Sequence, residues 1–266
     1  MATVRPGQLP DRRVGDVILR YVDTHVHLDA YPYPSQVMRE TASAGVVAIA
    51  MTGSPSAYRR LRVGIGKNPA VRVALGIHPQ QAHLFDTREQ RRFVREVEAA
   101  TYIGEVGLDY TEDESHRQQQ RAALQFVLSS GASHKVLSLH SRRAERDVLS
   151  ALTDATAVAP ILHWYSGPLG LVDEALDAGC YFSINTAMIR TKKGISLLSR
   201  LPRNRVLTET DGPYAKHHQR PARPADIPAI IDALARAWDM STANATTQVW
   251  ENMVEIAQRA TPPAVE

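Results

Sequence analysis

The sequence has little cysteine, no long hydrophobic run and little net charge. Its 266 residues include a single cysteine, Cys180, so no disulfide can form within the chain and a disulfide-stapled fold is excluded. Tyr181 and Phe182 follow this cysteine and indicate the start of a strand. We therefore expect Cys180 to be a small buried residue rather than a nucleophile.

The absence of long apolar segments bears on location. No apolar run approaches the roughly 18 residues that a membrane helix needs. The N-terminal stretch, which carries Arg5, Asp11, Arg12 and Arg13, lacks the apolar segment of a secretory signal. We therefore expect a cytoplasmic protein with no membrane partner. The net charge of +3 is compatible with an anionic substrate but does not indicate one.

The sequence does contain a regular alternation of short β-rich runs and helical segments. Eight β-rich runs recur at intervals of about 25 residues, which is the pattern of βα units. They are Tyr21–Thr24, Val46–Met51, Val71–Gly76, Tyr102–Gly104, Val136–Leu139, Ile161–Leu162, Tyr181–Ile184 and Val206–Thr208. Eight such units in a chain of this length predict an α/β fold, a single (β/α)₈ TIM barrel.

The two ends of the chain lie outside this repeat. Residues 1–18 are expected to be an extended lead-in, and residues 19–266 to form the barrel domain. Two helical segments after the eighth run, near Asp226–Trp238 and Ala243–Ala260, are expected to cover the outside of the barrel. The segment Arg220–Pro228, which is rich in proline, is predicted to be a surface loop.

Polar residues that can bind metals or transfer protons follow the predicted strands. Seven of them lie at the C-terminal strand ends, the rim where barrel enzymes carry their chemistry. They are His25, His27, His78, Glu105, His140, His163 and Asp211. A lone histidine at a strand end is more often structural, but seven such residues on one rim predict a site.

The spacing of these residues favours a metal centre. His25 and His27 lie on the same side of an extended segment because side chains alternate along a strand. Neutral imidazole binds zinc, manganese and iron. Glu105 follows Gly104, which lets the backbone pass close to an ion, and its carboxylate has two oxygens that could bridge two cations.

Three further residues could complete such a centre. His140 and His163 could bind a second ion, and Asp211 could bind the first. About three protein ligands per ion would leave positions for water and substrate. Asp211 could also accept a proton from water, with Glu209 as the alternative carboxylate for that role.

Six blocks of sequence surround these residues in a fixed order. They are DTHVHLD (Asp23–Asp29), GIHP (Gly76–Pro79), GEVGLDY (Gly104–Tyr110), HSRRA (His140–Ala144), HWYSG (His163–Gly167) and ETDGPY (Glu209–Tyr214). Together they resemble the TatD family of metal-dependent deoxyribonucleases, which are amidohydrolase-like barrels. The last three blocks are most similar to the QatD branch of the Qat anti-phage defence system.

The resemblance implies a metal-dependent hydrolase that cleaves DNA phosphodiester bonds, often from the 3′ end of a single strand. It implies two divalent ions, Mg²⁺, Mn²⁺ or Zn²⁺, and a role in anti-phage defence beside other Qat-type proteins. The implied ligands are His25, His27, Glu105 and Asp211 for one ion and Glu105, His140 and His163 for the other. Glu105 and Asp211 are the implied catalytic residues. One departure is the segment Gln219–Pro224, where the family usually carries an Arg-Asn-Glu-Pro-like block.

Three residues are candidates for contact with the substrate. His78 could hydrogen-bond a phosphate or be a loop histidine beside Pro79. Arg142 could hold a phosphate by a bidentate contact or form a surface ion pair. Trp164 could stack on a nucleobase or pack into the barrel. Asp109 could orient a ligand histidine from outside the metal shell.

Two other functions remain open from the sequence. The first is an amidohydrolase that acts on a cyclic amide, ester or lactone, because one barrel serves many chemistries. Many such enzymes bridge their metals with a carboxylated lysine, but Lys135 lies five residues before His140, too early to bridge. The second is a non-catalytic subunit of a defence complex, for which lost ligands would be expected, and none of the six is missing.

Overall fold

In the part of the chain that the computed structural model describes, residues 13–260, eight parallel strands alternate with helices. The strands are β1 Tyr21–Val26, β2 Val46–Ala50, β3 Val71–Val73, β4 Tyr102–Gly107, β5 Val136–His140, β6 Ala159–Leu162, β7 Tyr181–Ile184 and β8 Val206–Thr208. The helices are α1 Pro34–Ser43, α2 Pro55–Ile65, α3 Thr87–Val97, α4 Glu114–Ser129, α5 Glu145–Asp154, α6 Val172–Asp177, α7 Lys192–Leu198, α8 Ile227–Trp238 and α9 Thr242–Arg259.

The strands close into a barrel at two seams between ladders. β1 to β3 form one parallel ladder and β4 to β8 form another. Leu75 joins them, since its N–H donates to Tyr102 O and its carbonyl accepts from the N–H of Gly104, each at 3.0 Å. At the other seam, the hydroxyl of Thr24 on β1 donates to Thr208 O on β8 at 3.1 Å. The predicted (β/α)₈ barrel is confirmed.

The last two helices pack over the second seam. Both α8 and α9 contact β1 and β8 from outside the barrel. In α8 the residues Ile227, Ile230, Ile231 and Leu234 are buried, a spacing of three and four that places them on one helical face. The two helices therefore cover the seam between β1 and β8.

Several element boundaries differ from the predictions. β1 extends to Val26 rather than Thr24, and β4 to Gly107 rather than Gly104, so His25 and Glu105 lie inside strands. The predicted loop Arg220–Pro228 holds a two-residue strand, Arg220–Pro221, and α8 begins within it at Ile227. The two-residue strand is too short to carry a hydrophobic period that a sequence pattern could reveal.

The lead-in also differs where it is described. Arg13–Val14 pairs antiparallel with Val17–Ile18 around Gly15, whose φ of +57° suits glycine. This part is therefore a tight ribbon and not simply extended. Residues 1–12 of the predicted lead-in, with Arg5, Asp11 and Arg12, lie outside the described residues, as do residues 261–266 at the end of the barrel domain.

The environment of Cys180 and the length of the helices test two further predictions. Cys180 has 0% exposure, and burial raises the pKa of its thiol to about 12. The prediction that it is a buried packing residue is confirmed. No helix between residues 13 and 260 is both long enough and apolar enough to cross a membrane.

Candidate metal centre

The C-terminal ends of the strands surround an open cleft of about 920 Å³. Five predicted ligands and the three predicted substrate-binding residues line it, namely His27, Glu105, His140, His163, Asp211, His78, Arg142 and Trp164. The sixth predicted ligand, His25, is fully buried beside Glu105. The structure therefore brings together all the site residues predicted from the sequence.

Glu105 lies at the centre of this group, and its two carboxylate oxygens face different histidines. Its Oε1 is 2.6 Å from His140 Nδ1 and 3.1 Å from His163 Nε2. Its Oε2 is 3.4 Å from His25 Nε2 and 3.3 Å from His27 Nε2. Each oxygen of Glu105 therefore faces its own pair of histidines, and the bridging role stays a prediction.

The local backbone aims Glu105 into the cleft. The register between β4 and β5 shifts between Ile103 and Val106, and such an irregularity redirects a side chain. A Cβ atom at Gly104 would collide with the Sδ of Met51 on the neighbouring barrel wall. Glycine before Glu105 therefore leaves room for the side chain of Met51 inside the barrel.

His25, His27 and Asp211 converge on one side of Glu105. Asp211 Oδ1 is 3.7 Å from His25 Nε2 and 3.5 Å from His27 Nε2, and the two Nε2 atoms are 3.1 Å apart. The backbone fixes this placement, because the N–H of Asp211 donates to His25 O and the N–H of His27 donates to Gly212 O, each at 2.8 Å. The ligand atoms of the three side chains lie within 4.8 Å of one another, so they could hold one ion.

His78, predicted to contact the substrate, also lies close to Glu105 and His140. Its Nε2 is 3.3 Å from Glu105 Oε2, and its ligand atom lies within 4.8 Å of those of Glu105 and His140. Its Nδ1 accepts a hydrogen bond from the N–H of Gln80 at 3.2 Å, which directs Nε2 into the cleft. His78 can therefore contact an ion as well as a substrate phosphate.

Buried polar side chains hold two of the histidine rings from behind. Asp109 Oδ2 is 3.2 Å from His140 Nε2, which is the contact predicted for Asp109. Ser138 Oγ is 2.7 Å from His25 Nδ1. Such partners fix the tautomer and orientation of a metal-binding imidazole. Sequence reasoning missed Ser138, although its position two residues before His140 on β5 places both side chains on the same face.

Glu209, the alternative carboxylate, is held behind the cluster by its own hydrogen bonds. It is fully buried, accepts from Asn185 Nδ2 at 2.9 Å and from the N–H of Trp164 at 3.0 Å, and lies 3.7 Å from His163 Nδ1. Its oxygens are thus engaged by groups behind the cluster. Of Glu209 and Asp211, it is Asp211 that faces His25 and His27.

Asp23 is a further buried carboxylate that sequence reasoning did not single out. It accepts from the N–H groups of Thr210 and His25, at 2.9 Å and 3.2 Å, and from the Thr210 hydroxyl. Burial raises its pKa to about 8 in spite of these hydrogen bonds. Asp23 therefore ties β1 to the segment that carries Asp211.

The cluster alters the proton affinities of its first two histidines in opposite directions. Burial, followed by the charge of His163, lowers the pKa of His25 to about 4. Burial also opposes the charged form of His27, but hydrogen bonds to Asp211 and Glu105 outweigh it and raise the pKa of His27 to about 9. His25 is therefore neutral at pH 7, the form that binds metals.

The pKa values of Glu105, His140 and His163 are likewise set by burial on one side and by neighbouring charges and hydrogen bonds on the other. Burial works against the charged form of Glu105, yet His78 and His163 together with hydrogen bonds hold its pKa well below the usual value. Burial likewise disfavours charge on His140 and His163, but Asp109 and Glu105 raise the pKa of His140, and Glu105 and Glu209 raise that of His163. Glu105 is therefore ionised and available to bridge cations.

The chemistry of these donors fits divalent metal ions. Imidazole nitrogens and carboxylate oxygens together suit zinc and manganese, whereas magnesium prefers oxygen ligands. Three overlapping sets of ligand atoms, all drawn from the cluster, each lie within 4.8 Å. Lys135 takes no part, because its Nζ donates to Glu98 O at 2.9 Å, away from the cleft.

The walls of the cleft contain the remaining predicted residues. Arg142 is exposed and lines the cleft, and Trp164 is half-buried, with one side against the core and another on the cleft. In the divergent segment Gln219–Pro224, Arg220 pairs with Asp226 at 2.6 Å, and Arg223 pairs with Glu40 at 2.7 Å. These two arginines therefore stabilise the loop and do not line the cleft.

Replacing Ser138 tests the support of His25. In Ser138→Ala, His25 Nδ1 loses its partner, and we expect the affinity for Zn²⁺ or Mn²⁺ to fall about 10- to 100-fold, the usual effect of removing such a partner. Competition with a chromophoric chelator measures this. Ser133→Ala is the matched control, since Ser133 is also buried but contacts no ligand histidine. Equal affinities for the two variants would contradict the role given to Ser138.

Known proteins similar to this chain are found both by sequence and by structure. A family model described as TatD related DNase matches residues 22–258. The chain is 28% identical over 234 residues to the 3′-5′ ssDNA/RNA exonuclease TatD of Edwardsiella piscicida, covering 82% of this chain and 90% of the relative. It is 27% identical over 230 residues to the metal-dependent hydrolase YcfH of Escherichia coli K12, covering 80% and 86%. The solved structure of the TatD homologue YJJV from the same species superposes with a TM-score of 0.80 at 22% identity, covering 88% of this chain and 96% of that one.

Proposed function

The chain belongs to the TatD-related DNase family of metal-dependent hydrolases, and from this premise we propose that it is a deoxyribonuclease that removes nucleotides from the 3′ end of single-stranded DNA. The family and the donor set support hydrolysis at a metal centre. The exonuclease relative supports the choice of nucleic acid and of strand polarity.

One observation carries the proposal. The two oxygens of Glu105 face separate histidine groups, with His140 and His163 on the Oε1 side and His25 and His27 on the Oε2 side. A bridging carboxylate of this kind could hold two cations, for which a spacing of about 3.5–4 Å is typical in phosphodiester hydrolysis. When bound, the ions supply positive charge for the phosphate oxygens and lower the pKa of water.

The side chains of the cleft divide the remaining work. Asp211, with Oδ1 directed towards His27 Nε2 at 3.5 Å, orients the attacking water and accepts its proton. Arg142 is exposed on the cleft wall, where its guanidinium can hold a phosphate oxygen of the substrate. His78 Nε2 lies on the open side of Glu105 and can hydrogen-bond the same phosphate.

End-labelled oligonucleotides test the activity. We expect the purified protein with Mn²⁺, Mg²⁺ or Zn²⁺ to shorten a 5′-labelled single strand progressively. From a 3′-labelled strand, the labelled mononucleotide should be the first product. A 3′-terminal phosphorothioate linkage should slow the reaction on the same strand. Release from the 5′ end first would contradict the proposed polarity.

A second substrate panel separates this proposal from hydrolysis of a cyclic amide, ester or lactone. Lys135 is bonded to Glu98 O outside the cleft and cannot serve as a carboxylated bridge, which argues against that kind of amidohydrolase. If metal-loaded protein leaves DNA and RNA intact yet opens a lactone or a dihydropyrimidine, the nuclease proposal is wrong. Inactivity on every substrate would favour a non-catalytic subunit.

We also propose a biological setting, anti-phage defence beside other Qat-type proteins. The support is the similarity of the three sequence blocks HSRRA, HWYSG and ETDGPY to the QatD branch. Deleting the gene together with its neighbours, and then restoring them with or without Asp211→Asn, tests the setting through phage plaque counts. Unchanged plaque counts after deletion would remove the defence role and leave the nuclease proposal standing.

A further inference from the structure

Tyr214 is a large aromatic side chain at the edge of the metal centre. It follows the last predicted metal ligand by three residues and lines the same cleft. Its side chain is 64% exposed, whereas most aromatic residues of the described chain are buried in the barrel. Its ring lies edge-on to that of His27, with centroids 4.9 Å apart and an interplanar angle of 72°.

The backbone holds Tyr214 rigidly beside the metal centre. Its N–H donates to Asp211 O at 2.9 Å, and the N–H of Ala215 donates to the same carbonyl at 3.0 Å. A Cβ atom at Gly212 would collide with Ala222 O, so the turn passes tightly against the neighbouring loop. The exposed ring is therefore carried by a tightly packed turn, whose backbone needs little further ordering when a ligand binds.

A second aromatic surface lies on the cleft wall. Trp164 directly follows His163, is half-buried, and lines the cleft with Tyr214. Its backbone is fixed by the hydrogen bond of its N–H to Glu209. The metal centre is thus bordered by two aromatic side chains, one after β6 and one after β8.

We propose that Tyr214, together with Trp164, forms an aromatic platform that binds the unpaired terminal base of the DNA strand next to the scissile phosphate. This inference rests on the proposed nuclease function and adds the feature of the substrate that the site selects. Aromatic rings stack on any base, which gives affinity without sequence preference. A base within a duplex has both faces covered by its neighbours, so it must leave the stack to reach the ring. The platform therefore selects unpaired ends.

Substrates that differ only in the base test the platform. We compare a single strand that ends in a normal 3′ nucleotide with the same strand ending in an abasic tetrahydrofuran residue. For the wild-type protein, KM should be about 10-fold higher on the abasic end, in line with the typical energy of one base stacked on an aromatic ring. The value of kcat should change little, because the phosphodiester and the metal cluster are the same.

Variants then assign the effect to the ring. Tyr214→Ala should raise KM about 10-fold on the normal end and leave KM on the abasic end unchanged. Tyr214→Phe keeps the ring and should recover most of the lost affinity. Tyr33→Ala is the matched control, since Tyr33 is 73% exposed and does not line the cleft; it should behave as the wild type on both ends.

The possible failures are distinguishable. If the wild-type protein cleaves both ends with equal KM, or if Tyr214→Ala raises KM equally on both, the platform is wrong and the nuclease function stands. If no nucleic acid is cleaved at all, the function and the platform fail together. A KM change in Tyr33→Ala equal to that in Tyr214→Ala would also overturn the platform.

Discussion

Glu105→Gln is expected to abolish hydrolysis. The substitution keeps the size of the side chain but replaces one carboxylate oxygen with an amide nitrogen, which cannot bind a cation. Because Oε1 and Oε2 face separate histidine groups, either orientation of the amide leaves one side of the bridge without its anionic donor. The loss of kcat should exceed the about 10- to 100-fold that follows loss of a partner behind a metal ligand.

Two measurements accompany this variant. Elemental analysis should find less metal bound to Glu105→Gln than to the wild-type protein, and circular dichroism should show that the barrel is still folded. Glu40→Gln is a matched control, since Glu40 pairs with Arg223 and does not line the cleft. A Glu105→Gln protein that retains both its metal and its activity would contradict the bridging role.

The features that could be predicted from the sequence are those that repeat or alternate. Eight β-rich runs at a regular interval predicted the barrel, because each βα unit must return the chain to the next position in a parallel sheet. His25 and His27 were predicted to converge because they are two residues apart in an extended segment. Glu105 was predicted as a bridge from its position on the same rim and from the two oxygens that a carboxylate offers.

The features that could not be predicted depend on contacts between distant residues. In the sequence, Asp23 is one polar residue among others in β1. Its role depends on the hydroxyl of Thr210, which closure of the barrel brings beside it. Ser138 reads as a small strand residue until His25 is brought within 2.7 Å. Each side chain forms a hydrogen bond with a polar atom that burial removes from water. A sequence pattern does not show which distant residue will supply that atom.

The role of His78 also could not be predicted from the sequence, although its position could. Its place after the third strand predicted a residue of the rim, but its role was divided between phosphate binding and loop structure. The 3.3 Å separation from Glu105 Oε2 depends on the hydrogen bond between Gln80 N–H and His78 Nδ1. The orientation of a side-chain ring is set by such local contacts, and the spacing of residues along the sequence does not give it.

The metal-free and metal-loaded proteins are expected to respond to pH in opposite directions. In the metal-free protein, the folded pKa values of His27, about 9, and of Asp23, about 8, lie above the unfolded values of 6.5 and 3.8. Between pH 6.5 and about 9 the folded state thus binds more protons than the unfolded state, and stability falls as the pH rises. The raised pKa values of His140 and His163 act in the same direction. His25 opposes this trend only at the acidic end of the window, where its unfolded state is still partly protonated and its folded state, with a pKa of about 4, is neutral.

With metal present the sign reverses. A metal can bind His27, His140 and His163 only after their protons leave, so its affinity rises with pH through the same window. A ligand at a hundredfold excess over its Kd adds about 2.7 kcal/mol to the free energy of unfolding. At about 2–4 °C per kcal/mol, a value for chains of somewhat smaller size, the melting temperature should rise by roughly 5–10 °C.

Thermal unfolding from pH 6.5 to 9, with a chelator and with Mn²⁺, measures both slopes. We expect the melting temperature to fall with pH in the chelator and to rise with pH in Mn²⁺. His134→Gln, which removes an exposed histidine outside the cluster, should keep both slopes, and His27→Gln should weaken both. Parallel pH profiles with and without metal would show that these histidines do not exchange protons for the ion.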